Sequence, residues 1–209
     1  MFGAERSDLD KGLDAFNGRH WRKARRLLED AIAADHPRAI ADYHLGLLYW
    51  RGLGGDQDVG AGVECFRRAA ESGHAAAQTA LAMALQSGVG AQRDLAQARM
   101  LFRSAAGAGD LDAMVQLALI SDRAEARRLL ERASDAGHVA AMRHLSDLLI
   151  EDDAEEALAL LYANVALSGN HAVARHAEAL AREMTAAEID AAQKRGRAIL
   201  KKLRHEKAR

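Results

Sequence analysis

Residues 41–73 read ADYHLGLLYWRGLGGDQDVGAGVECFRRAAESG, and residues 77–109 read AQTALAMALQSGVGAQRDLAQARMLFRSAAGAG. Laid over one another, the two stretches agree in spacing. Ala41-x3-Leu45-Gly46-x2-Tyr49-x2-Gly52-x-Gly54 matches Ala77-x3-Leu81-Ala82-x2-Leu85-x2-Gly88-x-Gly90, and Phe66-x2-Ala69-Ala70-x2-Gly73 matches Phe102-x2-Ala105-Ala106-x2-Gly109. Ala41, Leu45 and Tyr49 stand four apart, so they stack on one face of a helix. The small residue after each Leu lets a partner helix approach closely. Gly52 and Gly54 turn the chain where a β-carbon would clash. Asp58 and Asp94 stand where a carboxylate can cap the next helix, and Gly73, Gly109 and Gly137 follow their helices at the position of a left-handed terminator.

Working outward, the Leu anchor recurs at Leu117-Ala118 and Leu145-Ser146, and the terminal glycine at Gly137 and Gly169. A helix pair of this kind cannot bury its apolar stripe alone, whereas stacked neighbours can. The composition agrees. The 209 residues include 47 alanines, one proline and only 4% aromatics, which favours closely packed helices over a sheet core rich in Val, Ile and aromatics. The reading is an all-α chain with helices at 7–17, 20–34, 39–51, 59–72, 75–87, 94–107, 111–121, 123–136, 139–151, 154–168, 172–183 and 186–204. His36-Pro37 marks one break. Thr185 with Glu188 forms a capping box at the last.

These motifs resemble the Sel-one-like repeat (SLR), a relative of the tetratricopeptide repeat. Residues 41–73 match nearly every signature position, with Gly55 in place of the usual Val and Cys65 in place of the usual Trp. Residues 113–137 and 141–169 keep the anchors but lack the Gly-x-Gly loop, and Gly18-x2-Trp21-x2-Ala24-x3-Leu28-x2-Ala31 resembles a tetratricopeptide pair. The resemblance implies a right-handed α-solenoid of about six stacked antiparallel helix pairs, read as one domain over 1–209. Its parts are an N-terminal pair at 7–38, repeats at 39–74, 75–110, 111–138 and 139–171, and a capping pair with a basic tail at 172–209.

Several function classes lose ground. Lys and Arg total 29 against 30 Asp and Glu, so the formal charge is −1 and no broad basic field invites nucleic acid. No apolar run is long enough to span a bilayer, and the first residues do not form a signal peptide; the expected location is the cytoplasm. A single cysteine, Cys65, gives no intramolecular disulfide and reads as a buried, inert thiol. The cysteine-paired SLR subgroup associated with β-lactam hydrolysis is therefore a poor match. His74, His138 and His171 follow terminal glycines in successive repeats, too far apart for one metal ion, and read as solvated turn residues. The acidic run Glu151 to Glu156 lacks an EF-hand pattern and reads as charge ahead of a helix start. No catalytic set, metal site or cofactor is expected.

The last helix concentrates Lys194, Arg195, Arg197, Lys201, Lys202, Arg204, Lys207 and Arg209 around Ile199, Leu200 and Leu203. A capping helix whose stripe closes the solenoid is the favoured reading, and docking on an anionic surface the other. The family resemblance implies a non-catalytic scaffold or adaptor for a partner protein or extended peptide, in bacterial signalling, secretion or envelope regulation. An immunity-type regulator that blocks its partner is the alternative. By analogy with tetratricopeptide grooves, the concave face comprises Tyr43, Leu47, Trp50 and Arg51, then Thr79, Met83, Gln86 and Ser87. Val115, Leu119, Asp122 and Arg123 follow, and then Arg143, Asp147, Ile150 and Glu151. A monomer is favoured, with no nucleic-acid partner.

Overall fold

The computed structural model describes residues 7–34 and 38–207, without the side chain of Lys207. The break expected at His36-Pro37 and the tail residue Arg209 lie outside the described residues. Within them the chain is helical: α1 (Asp8–Asn17), α2 (Trp21–Ala33), α3 (Arg38–Arg51), α4 (Val59–Glu71), α5 (Ala75–Ser87), α6 (Leu95–Gly107), α7 (Leu111–Ala118), α8 (Arg123–Asp135), α9 (Val139–Leu149), α10 (Ala154–Ser168), α11 (His171–Ala181) and α12 (Ala186–Lys207). Within each unit consecutive helices stack as antiparallel pairs. The chain divides into two compact units, Met1–Ala113 and Met114–Arg209.

In the first unit each helix from α2 to α6 packs on the one before it. Ala24, Leu28, Ala41 and Leu48 are wholly buried in its core, with Phe16, Trp21 and Tyr49 closing the edges. Alanine lets the helices approach, and Gly46 takes this to its limit. A β-carbon there would stand 2.6 Å from Cε1 of Phe66, so the ring of α4 occupies the space that a side chain on α3 would need. The Gly-x-Gly turn is equally constrained. Gly54, at φ +80°, lies on the start of α2, where a β-carbon would come within 2.5 Å of the Trp21 backbone. Each such turn therefore locks one repeat onto the second helix of the repeat before it.

The helix starts obey the expected chemistry. Ala61 N–H donates to Asp58 Oδ1 and Gln97 N–H to Asp94 Oδ1, both at 2.9 Å. Glu188 and Thr185 form the reciprocal box, with Thr185 N–H donating to Glu188 Oε2 at 2.7 Å. A second box, Ser7 with Asp10, opens α1. His74 and His138 correct the solvated-turn reading. Both are half-buried N-caps whose Nδ1 accepts from the backbone N–H of Ala77 (3.2 Å) and Ala141 (3.3 Å). His171 is exposed and follows the cap Asn170.

In the second unit α8 packs on α9, α9 on α10, and α10 against both α11 and α12. α7 stops at Ala118, three residues short of the expected end. Without a Gly-x-Gly loop, the turn before the next helix is made from residues 119–121, and Asp122 then caps α8. α12 lies along α10 and reaches the end of α8. Gly196 sits against the Ala159 carbonyl, Leu203 packs over Gly137, and Lys202 Nζ pairs with Asp135 Oδ1 at 3.0 Å.

Candidate partner-binding faces

In α3 the residues that face the core are Ala41, Asp42, Leu45, Gly46 and Leu48, which leaves Tyr43, Leu47, Trp50 and Arg51 on the turn of the helix toward the surface. Arg51 is exposed and the other three are half-buried. Tyr43 stacks on the His74 ring at 4.7 Å and meets His44 edge-on at 5.2 Å. Burial, with the charge of Asp110 behind it, pushes the Tyr43 phenol above its usual pKa. Trp50 leans on Phe66, with ring centroids 6.1 Å apart, so one face of the indole is committed to the α3–α4 packing. On α5, Met83 is 43% exposed and Gln86 half-buried, while Ser87 turns its hydroxyl back to the Met83 carbonyl at 2.9 Å. Ile40 on α3 adds an exposed apolar side chain that the repeat analogy did not select.

Thr79 departs from the expected groove. It is 4% exposed, and its hydroxyl donates to Ala75 O (3.2 Å) and Asp110 Oδ1 (3.1 Å). The same Asp110 oxygen accepts from Ala113 N–H at 2.7 Å, so Thr79 steadies the carboxylate at the start of α7. Val115 is likewise buried, at 4%, because α7 is nearly enclosed: Ala113, Met114, Leu117 and Ala118 are buried beside it. Asp122 is exposed, but its Oδ1 accepts from Glu125 N–H at 2.9 Å as a helix cap.

In the second unit Arg143 and Asp147 lie one turn apart on α9, 3.6 Å between charged atoms, and His176 of α11 stands 3.7 Å from Asp147. Arg143 also donates to His144 Nε2 at 2.8 Å. Burial first, and then this guanidinium, hold the His144 imidazole below its usual pKa. Arg123 donates to the Leu148 carbonyl and to Asp152, and Leu119 is 54% exposed beside the short turn. Ile150 is half-buried and Glu151 exposed.

Two groups escaped the sequence reading, the Asp42–Arg68 pair and a groove on α10 and α11. Asp42 is a buried carboxylate held by Arg68 from α4, a pairing across 26 positions that no local motif signals. Arg68 also donates to Cys65 Sγ at 3.1 Å, yet burial outweighs that guanidinium and pushes the thiol pKa up. The thiol is therefore poorly nucleophilic. Between α10 and α11, Tyr162, Val165, Ala174, Ala177 and Ala181 line an open apolar groove of about 420 Å³ with Glu178 and Arg182 at its rim. The acidic run before α10 is engaged: Asp153 caps the helix, and Asp153, Glu155 and Glu156 surround the Arg195 guanidinium at 3.0–3.8 Å. Among the described residues no group of three or more His, Cys, Asp or Glu side chains is placed to hold a metal ion, and no helix is long and apolar enough to cross a membrane.

The chain resembles known proteins in both sequence and fold. The family model of the Sel1 repeat matches residues 39–74, 75–110 and 113–138. No curated protein matches the chain. Among solved structures, a Sel1 repeat protein from Oxalobacter formigenes is similar, with a TM-score of 0.64 at 19% identity over 75% of this chain and 69% of that one. A second is c5321, a protective antigen of uropathogenic Escherichia coli strains with an SLR fold, with a TM-score of 0.61 at 18% identity. The alignment covers 95% of this chain but only 54% of c5321, so the chain spans about half the length of that protein. The matched repeats coincide with the pairs α3/α4 and α5/α6 and with the shortened pair that follows, and the same helix-pair architecture recurs in both solved structures: the chain is a Sel1-repeat protein.

Proposed function

We propose that the chain is a non-catalytic scaffold that holds a partner protein or an extended peptide on the face built from the first helices of its repeats. In the first unit that face is carried by Tyr43, Leu47, Trp50 and Arg51 of α3 and by Met83 and Gln86 of α5. The observation that carries the reading is Met83. It is a large apolar side chain 43% exposed in the middle of α5, beside buried Leu81, Ala82, Ala84 and Leu85, and so is open to a partner. An adaptable thioether with aromatic rings and a cation on the neighbouring first helix is a suitable set of contacts for a peptide. The Sel1 repeats support the same reading, since such repeats typically mediate protein interactions. The setting the resemblance implies is the bacterial cytoplasm, in signalling, secretion or envelope regulation.

The test is affinity capture by the intact chain from native lysate, followed by mass spectrometry. Met83→Glu with Arg51→Glu should remove the captured partner while leaving the circular dichroism unchanged, because both residues are exposed. Leu167→Glu, an exposed change on α10, should leave capture intact. Capture that survives the first pair and is lost with the second would place the interaction in the other unit.

A further inference from the structure

We propose that the outward face of α12 is a second docking surface, independent of the α3/α5 face, for an acidic protein segment that carries an apolar side chain. α12 divides its cations between two duties. Arg195 and Lys202 point into the second unit, where Asp153, Glu155, Glu156 and Asp135 neutralise them, and Ala192, Gly196 and Leu203 are buried beside them. Lys194 pairs with Asp190 on its own helix at 2.6 Å. Arg197, Lys201 and Arg204 lie on the opposite side, all three exposed, with His205 next to them. They stand four and three residues apart, so they form one stripe about 10.5 Å long. Between Asp190 and Glu206 the helix has no acidic residue of its own. In a chain of formal charge −1, this is a local excess of positive charge, and Arg197, Lys201 and Arg204 form no ion pair among the described residues.

The shape of the stripe selects its occupant. Arg197, Lys201, Arg204 and His205 surround a shallow depression with half-buried Leu200 in its wall. An apolar contact rimmed by cations suits a carboxylate-rich protein segment, whose acids meet the guanidinium groups while one of its apolar side chains covers Leu200. A phosphate backbone would leave Leu200 without a counterpart, and the stripe offers no Phe, Tyr or Trp platform for a run of stacked bases, His205 being its one ring. Insertion into a membrane would require the apolar face of α12, and that face is occupied by α10 and the end of α8.

The experiment uses the intact chain and fluorescence anisotropy with four probes: a labelled synthetic peptide with Glu at helical spacing and one Leu, the same peptide with Ser for Leu, a 20-base-pair DNA duplex, and phosphatidylserine vesicles. The expected result is saturable binding of the Leu peptide that weakens as salt rises. Loss of the peptide's Leu, or Leu200→Ser in the protein, should weaken it about fivefold. Binding should vanish in Arg197→Glu/Lys201→Glu/Arg204→Glu, and the milder Arg197→Gln/Arg204→Gln gives the same direction should the charge reversal disturb the helix. No saturable peptide binding, binding indifferent to these variants, or tighter binding of duplex or vesicle with no response to Leu200→Ser would overturn the proposal.

Discussion

Asp42 on α3 and Arg68 on α4 form a clamp in which the Asp42 side chain is 2% exposed and the Arg68 side chain 43% exposed; Nε and Nη2 both donate to Asp42 Oδ1, the first at 2.9 Å. The asymmetry of exposure makes the two halves of the pair unequal. Removing Arg68 strands a buried charge, whereas removing Asp42 leaves a cation that water can reach. Arg68→Ala is therefore expected to destabilise the first unit by about 3 kcal/mol and Asp42→Ala by about 1–2 kcal/mol. Urea unfolding of both variants checks the order. Equal losses would show that Asp42 is solvated in the folded chain.

Gly46 and Gly60 are both helical glycines and should respond to alanine with opposite signs. At Gly46 the added carbon meets Phe66 at 2.6 Å, and Phe66 is itself buried, so Gly46→Ala should cost about 1–3 kcal/mol. At Gly60 the nearest atom is Asp58 Oδ1 at 3.5 Å, an ordinary contact, so the gain in helix propensity should prevail at about 0.5 kcal/mol. Thermal melts of the two variants decide it.

His74 makes stability depend on pH. Burial first, then the nearby His44, hold its imidazole below the usual value, with Asp110 opposing. The Nδ1 that caps α5 accepts a proton-bearing N–H only while it is unprotonated. As pH falls, the unfolded chain takes up its proton first, so the contribution is fully present above about pH 6.5 and disappears as pH drops through the depressed folded value. His74→Asn keeps a capping side chain without the titration. It should flatten the stability profile below pH 6.5, leaving the part that His144 contributes with the same sign.

Leu203, 5% exposed, is the apolar pin of α12 on the second unit. Leu203→Ala should destabilise that unit by about 2–4 kcal/mol and raise amide exchange in α12. Lys202→Ala removes only an exposed ion pair with Asp135 and should cost far less than Leu203→Ala. Exchange in α12 unaffected by Leu203→Ala would mean that its hold comes from Arg195 and the three acids around it.

The local grammar of the repeats was readable because it acts over short spans. A carboxylate three residues before an amide, a glycine after the last turn and a stripe at every fourth position are satisfied or violated within one helix. Asp58, Asp94, Thr185 and the left-handed glycines stand as the spacing predicted. The expected groove residues were less readable, since a repeat analogy specifies a register but not what the neighbours cover. Thr79 and Val115 occupy positions that face a groove in related repeats, yet here one serves Asp110 and the other lies in a helix enclosed on nearly every side. His74 and His138 read as solvated turns because histidine is an uncommon cap, and only the folded chain brings Nδ1 to the backbone.

The order of residues alone determined that this chain is built from alanine-lined helix pairs, where most of the helices are capped, and that its repeats are of the Sel1 type. Those properties follow from hydrogen bonds and steric limits a few residues in range. Only the tertiary structure decided that Asp42 is buried under Arg68, that Met83 is left uncovered, and that α12 turns Arg195 inward and Arg197 outward. Each depends on which surface a distant helix covers, and burial is a property of the packed chain that no short stretch of it contains.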